Sequence, residues 1–185
     1  MIEYRSLSEG EICRELFDGF IRRQVVRDCW RRVNGEWCVR EDPFVDDWTE
    51  EDYRELVECL RNTAAKGGFV YGAFARNMLK GFASVEPDLF GGENRYLDLS
   101  SIHVSEDMRG MGIGRALFLA AKEWAGENGA GKLYISAHSA VESQAFYKSM
   151  GCVEAGEYNP EHVEKEPYDC QLECRLTSLL PPAAR

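Results

Sequence analysis

The run Arg109-Gly110-Met111-Gly112-Ile113-Gly114-Arg115 places three glycines in five positions between two arginines. With no Cβ at those positions the backbone can come close to a ligand. The run lies between a strand-like and a helix-like stretch, so its amide N–H groups open a helix whose dipole favours anions. The guanidinium groups of Arg109 and Arg115 suit phosphate oxygens. The chemistry of such a loop is the binding of a phosphate or pyrophosphate. Two nucleotide patterns fail by inspection. A P-loop needs Lys then Ser or Thr after its last glycine, and Gly114 is followed by Arg115-Ala116. A dinucleotide fingerprint needs a third glycine where this chain has Arg115, counting from Gly110, or Leu117, counting from Gly112. A plain strand-to-helix turn explains one or two glycines, not three with flanking arginines.

The elements around this loop follow from periodicity. Ile2 to Leu7 reads as a short strand, and Glu9 to Val33 as a helical stretch broken near Gly19. Thr49 stands three residues before Asp52, a capping-box variant that opens a helix carrying Tyr53, Leu56, Val57, Leu60 and Ala64 on one face. Gly67-Gly68 ends it. Phe69 to Ala75, a turn at Arg76-Asn77 and Leu79 to Val85 form a hairpin, and Tyr96 to Val104 adds a third strand. Gly112 to Asn128 is a helix with Ile113, Leu117, Ala120 and Trp124 on one face, and Lys132 to Ala137 a strand. Ser139 with Glu142 caps a further helix that ends at Met150-Gly151, before strands at Cys152 to Glu157 and Asp169 to Leu176. Strand–helix–strand from Tyr96 to Ala137 implies a parallel pair with a right-handed crossover. The expected fold is α/β: one domain over 1–178 with a mixed, mostly antiparallel central sheet flanked by helices, and a frayed tail at 179–185.

Composition sets the partners. Thirty-two acidic against 22 basic residues give a net charge of −10, which opposes binding to nucleic acid or anionic lipid and favours cationic partners. No apolar run approaches the roughly 18–20 residues of a membrane span. The opening residues MIEYRSLSEG lack the apolar core of a signal peptide, so a cytoplasmic location is expected. Seven cysteines, an odd number without paired spacing, fit free thiols in a reducing compartment. Cys170, Leu172 and Cys174 alternate onto an apolar strand face opposite Gln171, Glu173 and Arg175, and no His or Cys spacing suggests a metal.

Arg109-x-x-Gly112-x-Gly114 resembles the acyl-CoA signature of the GNAT acyltransferase superfamily. Leu99-x-x-Ile102-x-Val104 is similar to that family's central strand, and Ala145-Phe146-Tyr147-Lys148-Ser149-Met150-Gly151 to its F-Y-x-x-x-G helix end. The resemblance, strongest over Tyr96 to Tyr158, implies an N-acetyltransferase with acetyl-CoA as cosubstrate. It implies that Arg109, Gly110, Met111, Gly112, Gly114 and Arg115 hold the pyrophosphate. Ile102 and Val104 would meet the pantetheine arm through a strand bulge, with an oxyanion donor near Val104. Tyr147 would protonate the departing thiolate, with Ser143 one turn earlier steadying it or the pantetheine. Many relatives carry Asn where this chain has Ala140, a contact that His138 or Ser139 could replace. The base stays open between Asp98 and Glu86, acting through ordered water, with His103 and His138 as weaker candidates.

The acceptor is read from the first 52 residues. Arg22, Arg23, Arg27, Arg31 and Arg32 crowd around Trp30, either as an acid- or nucleotide-binding patch or as a solvated helix face. Glu41, Asp42, Asp46, Asp47, Glu50, Glu51 and Asp52 surround Phe44 and Trp48, a stretch suited to a cationic amine. The expected acceptor is a small cationic amine; homodimerisation stays open. Competing readings are a noncatalytic acyl-CoA sensor and an acetyltransferase acting on protein N-termini or lysines.

Overall fold

The computed structural model describes residues 1–176, so the expected tail at 179–185 lies outside the described residues. In chain order the elements are β1 (Ile2–Ser6), β2 (Arg23–Val33), β3 (Glu36–Asp47), α1 (Glu50–Ala65), β4 (Phe69–Ala75), β5 (Met78–Val85) and β6 (Tyr96–Asp98). They continue with β7 (Ser101–Val104), α2 (Ile113–Glu127), β8 (Lys132–Ala137), α3 (Val141–Ser149), β9 (Val153–Glu154), α4 (Pro160–Lys165) and β10 (Cys170–Arg175). The capping box at Thr49 forms: its amide donates to the Asp52 carboxylate at 2.6 Å, and its hydroxyl accepts from the Asp52 amide at 3.3 Å. One face of the β4–β5 hairpin packs Val70, Phe74 and Phe82 against Tyr53 and Leu60 of α1. On the other face, Phe69, Ala73 and Ala83 join Leu117, Phe118 and Ala121 of α2.

The stretch expected as one strand from Tyr96 to Val104 is two. β6 runs parallel to β8, with Tyr96 opposite Lys132 and Asp98 opposite Tyr134. β7 instead runs antiparallel to β5, with Ser101 opposite Ser84 and Val104 opposite Gly81. At the change-over the Leu99 amide still donates to the Tyr134 carbonyl at 2.9 Å, while the Ser100 hydroxyl lies 2.8 Å from that of Ser84. The result is two four-stranded sheets, β1-β4-β5-β7 and β6-β8-β10-β9. They splay apart where the chain changes partners. The β6–β8 pair, bridged by α2, is the expected parallel pair, and the other pairings among the described residues are antiparallel. The mixed α/β architecture with flanking helices therefore stands, opened into a V.

The first 50 residues depart most from expectation. Glu9 to Val33 is not helical: two short 3-10 turns (Glu9–Glu11 and Arg14–Phe17) precede β2, which pairs with β3 as a long arm. β-Branched Val25, Val26 and Val33 favour the strand. Asn34-Gly35, with φ of 52° and 86°, makes the tight turn. Pro43 sits where the register shifts opposite Val26 and Asp28, the one kind of place a strand tolerates it. The arginines form no basic patch. Arg31 pairs with Asp42 at 2.5 Å, Arg23 with Glu106 at 3.6 Å and Arg32 with Glu154 at 3.4 Å, while Arg22 is bound to Asp46.

Smaller departures have local causes. The expected cap at Ser139 is absent because its hydroxyl accepts from Arg31 at 2.6 Å and its carbonyl from the Trp30 amide at 2.8 Å. Ala140 takes the N-cap position instead. The strand after Cys152 is only Val153–Glu154, and α4 was not foreseen; it is capped by Asn159, whose side chain accepts from the Glu161 amide at 3.0 Å. On β10, Cys170 and Cys174 are buried as expected, but Gln171 and Glu173 are buried too. Gln171 accepts from the Tyr134 hydroxyl at 2.5 Å, and Glu173 from Lys132 at 2.8 Å.

Leu97 is wholly buried on β6, next to the split. Leu97→Ala is expected to cost about 2–5 kcal/mol, the usual range for truncating such a side chain. The shift of the urea midpoint at constant slope measures it.

Candidate active site

Between the splayed sheets lies a cleft of about 1050 Å³. The glycine loop forms one wall. From Val104 the chain makes a 3-10 turn over Glu106–Met108 and reaches Gly110 and Gly112, both with positive φ (77° and 79°). Gly112 is the N-cap of α2, and a Cβ built on it would meet nothing within 4 Å, so the space over the loop is open. Among the described residues, no carbonyl or side chain accepts from the amides of Gly110 to Arg115. Such a run of free donors at a helix N-terminus fits an anion. Gly114 faces α3: a Cβ there would lie 3.4 Å from the Phe146 ring, in ordinary contact with it.

β7 supplies the floor. The Ser105 amide donates to the Lys80 carbonyl at 2.9 Å, and amides along a strand alternate in direction. The amides of Ile102 and Val104 are therefore turned away from β5, toward the opening. Arg109 folds back so that its Nε donates to the Val104 carbonyl at 3.3 Å. Of the nine residues expected to hold the cosubstrate, eight line the cleft; Met111 does not and is well exposed.

Tyr147 also lines the cleft, packed against Phe118 and Phe146 at ring distances of 6.3 and 5.2 Å. Its hydroxyl makes no hydrogen bond among the described residues and is not sealed from the cleft. Burial, then the Cys152 thiol and the Asp169 carboxylate, raise its pKa, so the phenol keeps its proton. Ser143 lines the wall one turn earlier. Ala140 is fully buried against Val26 and Cys29 of β2, so the arm covers the position where relatives carry Asn.

Both histidines line the cleft, and burial lowers the basicity of each. His103 is enclosed between Trp48 and Phe82, at ring distances of 4.8 and 5.3 Å. Burial and the nearby charges of Arg22 and Arg109 push its pKa down to about 3. His138 accepts from the Ala140 amide through Nδ1 at 3.1 Å, which leaves Nε2 to carry the proton, and burial lowers its pKa.

The structure places neither carboxylate expected as the base at the cleft wall. Asp98 lies within 2.8 Å of His162 Nε2, and its other oxygen is buried without a partner. Glu86 accepts from Thr63 at 2.6 Å and from Ser100 at 3.0 Å, and reaches the cleft only through Ser100. Of the acidic stretch after Arg40, only Phe44, Val45, Asp46 and Trp48 line the cleft. Glu41 and Asp42 face arginines of β2, and Glu50 pairs with Arg14. Sequence reasoning missed Glu142 as a lining residue, and Glu166 and Asp169 altogether. The only available signal for the last two was their position just before the closing strand.

A split sheet with a free-amide glycine loop at its opening and a phenol within the cleft is the site of an acyltransferase. The family model of the Acetyltransferase (GNAT) family matches residues 35–152, and the chain belongs to that family. No curated protein matches the chain by sequence alone. Among solved structures, nourseothricin acetyltransferase superposes with a TM-score of 0.68 at 20% identity, over 95% of this chain and 99% of that one. A chain from Bacillus anthracis str. Ames assigned as a streptothricin acetyltransferase, in complex with acetyl coenzyme A, gives 0.67 at 19% over 94% and 96%. The ribosomal-protein-S18-alanine N-acetyltransferase from Escherichia coli gives 0.58 at 13% over 100% and 99%. At these identities the likeness establishes the fold. Among the described residues, no helix is long and apolar enough to cross a membrane.

Gly112→Val puts a branched side chain at positive φ and into the open space over the loop. A folded Gly112→Val protein is expected to lose at least about tenfold in affinity for CoA, roughly 1.4 kcal/mol. Calorimetric titration checks this, with circular dichroism as the folding control.

Proposed function

We propose that this chain transfers an acetyl group from acetyl-CoA to the primary amine of a small cationic acceptor. The amine attacks the thioester directly, and Tyr147 protonates the departing thiolate. The reading takes 1–178 as one catalytic unit, expected in the cytoplasm.

The observation that carries it is the charge of the cleft. Arg109 and Arg115 stand at the loop without an acidic partner among the described residues, where a pyrophosphate would sit. Glu142, Glu166 and Asp169 line the same cleft and have no Lys or Arg partner within 4 Å among those residues. Anionic cosubstrate and cationic acceptor thus each find uncompensated charge. The streptothricin and nourseothricin acetyltransferases among the structural neighbours support a small-molecule acceptor.

On this reading the amides from Gly110 to Arg115 hold the pyrophosphate, and the Ile102 and Val104 backbone aligns the pantetheine arm. The Val104 amide serves as the donor toward the thioester oxygen as charge develops there. Tyr147, kept protonated by burial, gives its proton to sulfur as the carbon–sulfur bond breaks.

Tyr147→Phe is expected to lower kcat by about 10²–10⁴-fold while leaving acetyl-CoA affinity within twofold or so, since general acids contribute on that scale. Thiol release over a panel of amines, with calorimetry alongside, reads both. Full turnover by the variant removes Tyr147 from the chemistry. Binding of acetyl-CoA without thiol release on any amine favours a noncatalytic sensor, and transfer only to peptides favours a protein acceptor.

A further inference from the structure

Transfer to an alkylamine leaves one proton unassigned. At neutral pH the amine is an ammonium ion and cannot attack until a base removes a proton. Asp98 is turned to His162 and Glu86 lies behind Ser100, while the two histidines line the cleft but His103 is packed between Trp48 and Phe82 and His138 Nδ1 is taken by the Ala140 amide. Four carboxylates line the cleft itself: Asp46, Glu142, Glu166 and Asp169. Asp46 is neutralised by Arg22, and Glu142 is exposed on the first turn of α3.

Asp169 is different. It is half-buried at the start of β10, its amide donating to the Glu166 carbonyl at 3.1 Å. One carboxylate oxygen accepts from Ser136 on β8 at 3.2 Å. The other has no partner among the described residues and is not sealed from the cleft that it shares with Tyr147.

We propose that Asp169 is the catalytic base: its free carboxylate oxygen receives the acceptor's ammonium group and takes one proton from it. This assignment rests on the acetyl-transfer reading above. The neutral amine then forms the carbon–nitrogen bond, and collapse of the tetrahedral adduct breaks the carbon–sulfur bond. The thiolate leaves with the Tyr147 proton, the second ammonium proton restores the phenol, and Asp169 releases the first to solvent. The titratable groups around Asp169 are Glu166, His162, Tyr147 and Cys170. Burial, then the Glu166 charge, raise its carboxyl to about 6, against the pull of Ser136 and His162. The carboxylate form dominates above that pH, so activity is expected to rise through it.

Spermidine, an alkylammonium at neutral pH, and methoxyamine, whose nitrogen is uncharged there, are the two probes. For wild type, kcat/KM with spermidine is expected to rise with pH on an acid limb near 6. Asp169→Asn is expected to lose about 10²–10⁴-fold with spermidine at pH 7 and far less with methoxyamine, while binding acetyl-CoA normally by calorimetry. Glu166→Gln removes a like charge and is expected to move the limb to lower pH. Equal losses with both probes, unchanged activity of Asp169→Asn, or disappearance of the limb in Glu86→Gln instead would overturn the assignment and leave the transfer reading standing. Transfer by wild type to neither probe overturns the transfer reading, and this assignment with it.

Discussion

Between Asp98 and Ser101 the chain exchanges one hydrogen-bond partner for another, and most of the site follows from that exchange. A strand edge can satisfy its amides against a neighbour only while the two stay a sheet spacing apart. Once β7 goes with β5 while β6 stays with β8, the Ile102 and Val104 amides lose a protein partner. A buried unsatisfied amide costs about 1–3 kcal/mol, so that edge stays wet until a ligand takes the bonds. The helices flank the same opening because α2 is the crossover from β7 to β8 and α3 begins where β8 ends. Ligand sites in α/β sheets form at such carboxyl ends of strands, where neighbouring strands part.

Charge is arranged with the same economy. A protein of net charge −10 presents two cleft arginines without acidic partners among the described residues, both at the glycine loop. The five arginines from Arg22 to Arg32 are spent elsewhere, three of them on acids of β3 and two on the body of the protein at Glu106 and Glu154. The exposed pairs among them contribute about 0–1 kcal/mol each, so they act by setting register and removing stray positive field more than by adding stability. The arm they align covers Ala140 and carries Phe44 and Asp46 to the cleft wall. It is as much a part of the site as the loop.

What the sequence made legible was what depends on local rules. The glycine loop, the capping box at Thr49, the β4–β5 hairpin and the Tyr147 helix end are each specified within about ten residues. The arm was misread because its arginines and apolar residues also fit a helical stretch, although Asn34-Gly35 is a strong local hairpin signal. The split at Leu99–Ser100 had no local mark: whether a strand keeps one neighbour or changes it is decided across the sheet. Where the two candidate carboxylates point was hidden for the same reason. Asp98 and Glu86 lie at sensible chain positions, but side-chain partners at His162 and Thr63, 64 and 23 residues away, decide where those carboxylates point. Asp169 becomes a cleft residue only because β10 pairs with β8 and sets it beside Ser136.

One physical cause acts on both ends of the proposed proton transfer. Withdrawal from water disfavours the charged form of any acid, so it raises Tyr147 and Asp169 alike. The consequences differ because the groups start far apart. A phenol raised from near 10 simply remains protonated and available as a donor, whereas a carboxyl raised from near 4 arrives at the edge of neutrality, still ionised at pH 7 but able to hold a proton. Each carries the proton state that its role requires before any substrate arrives.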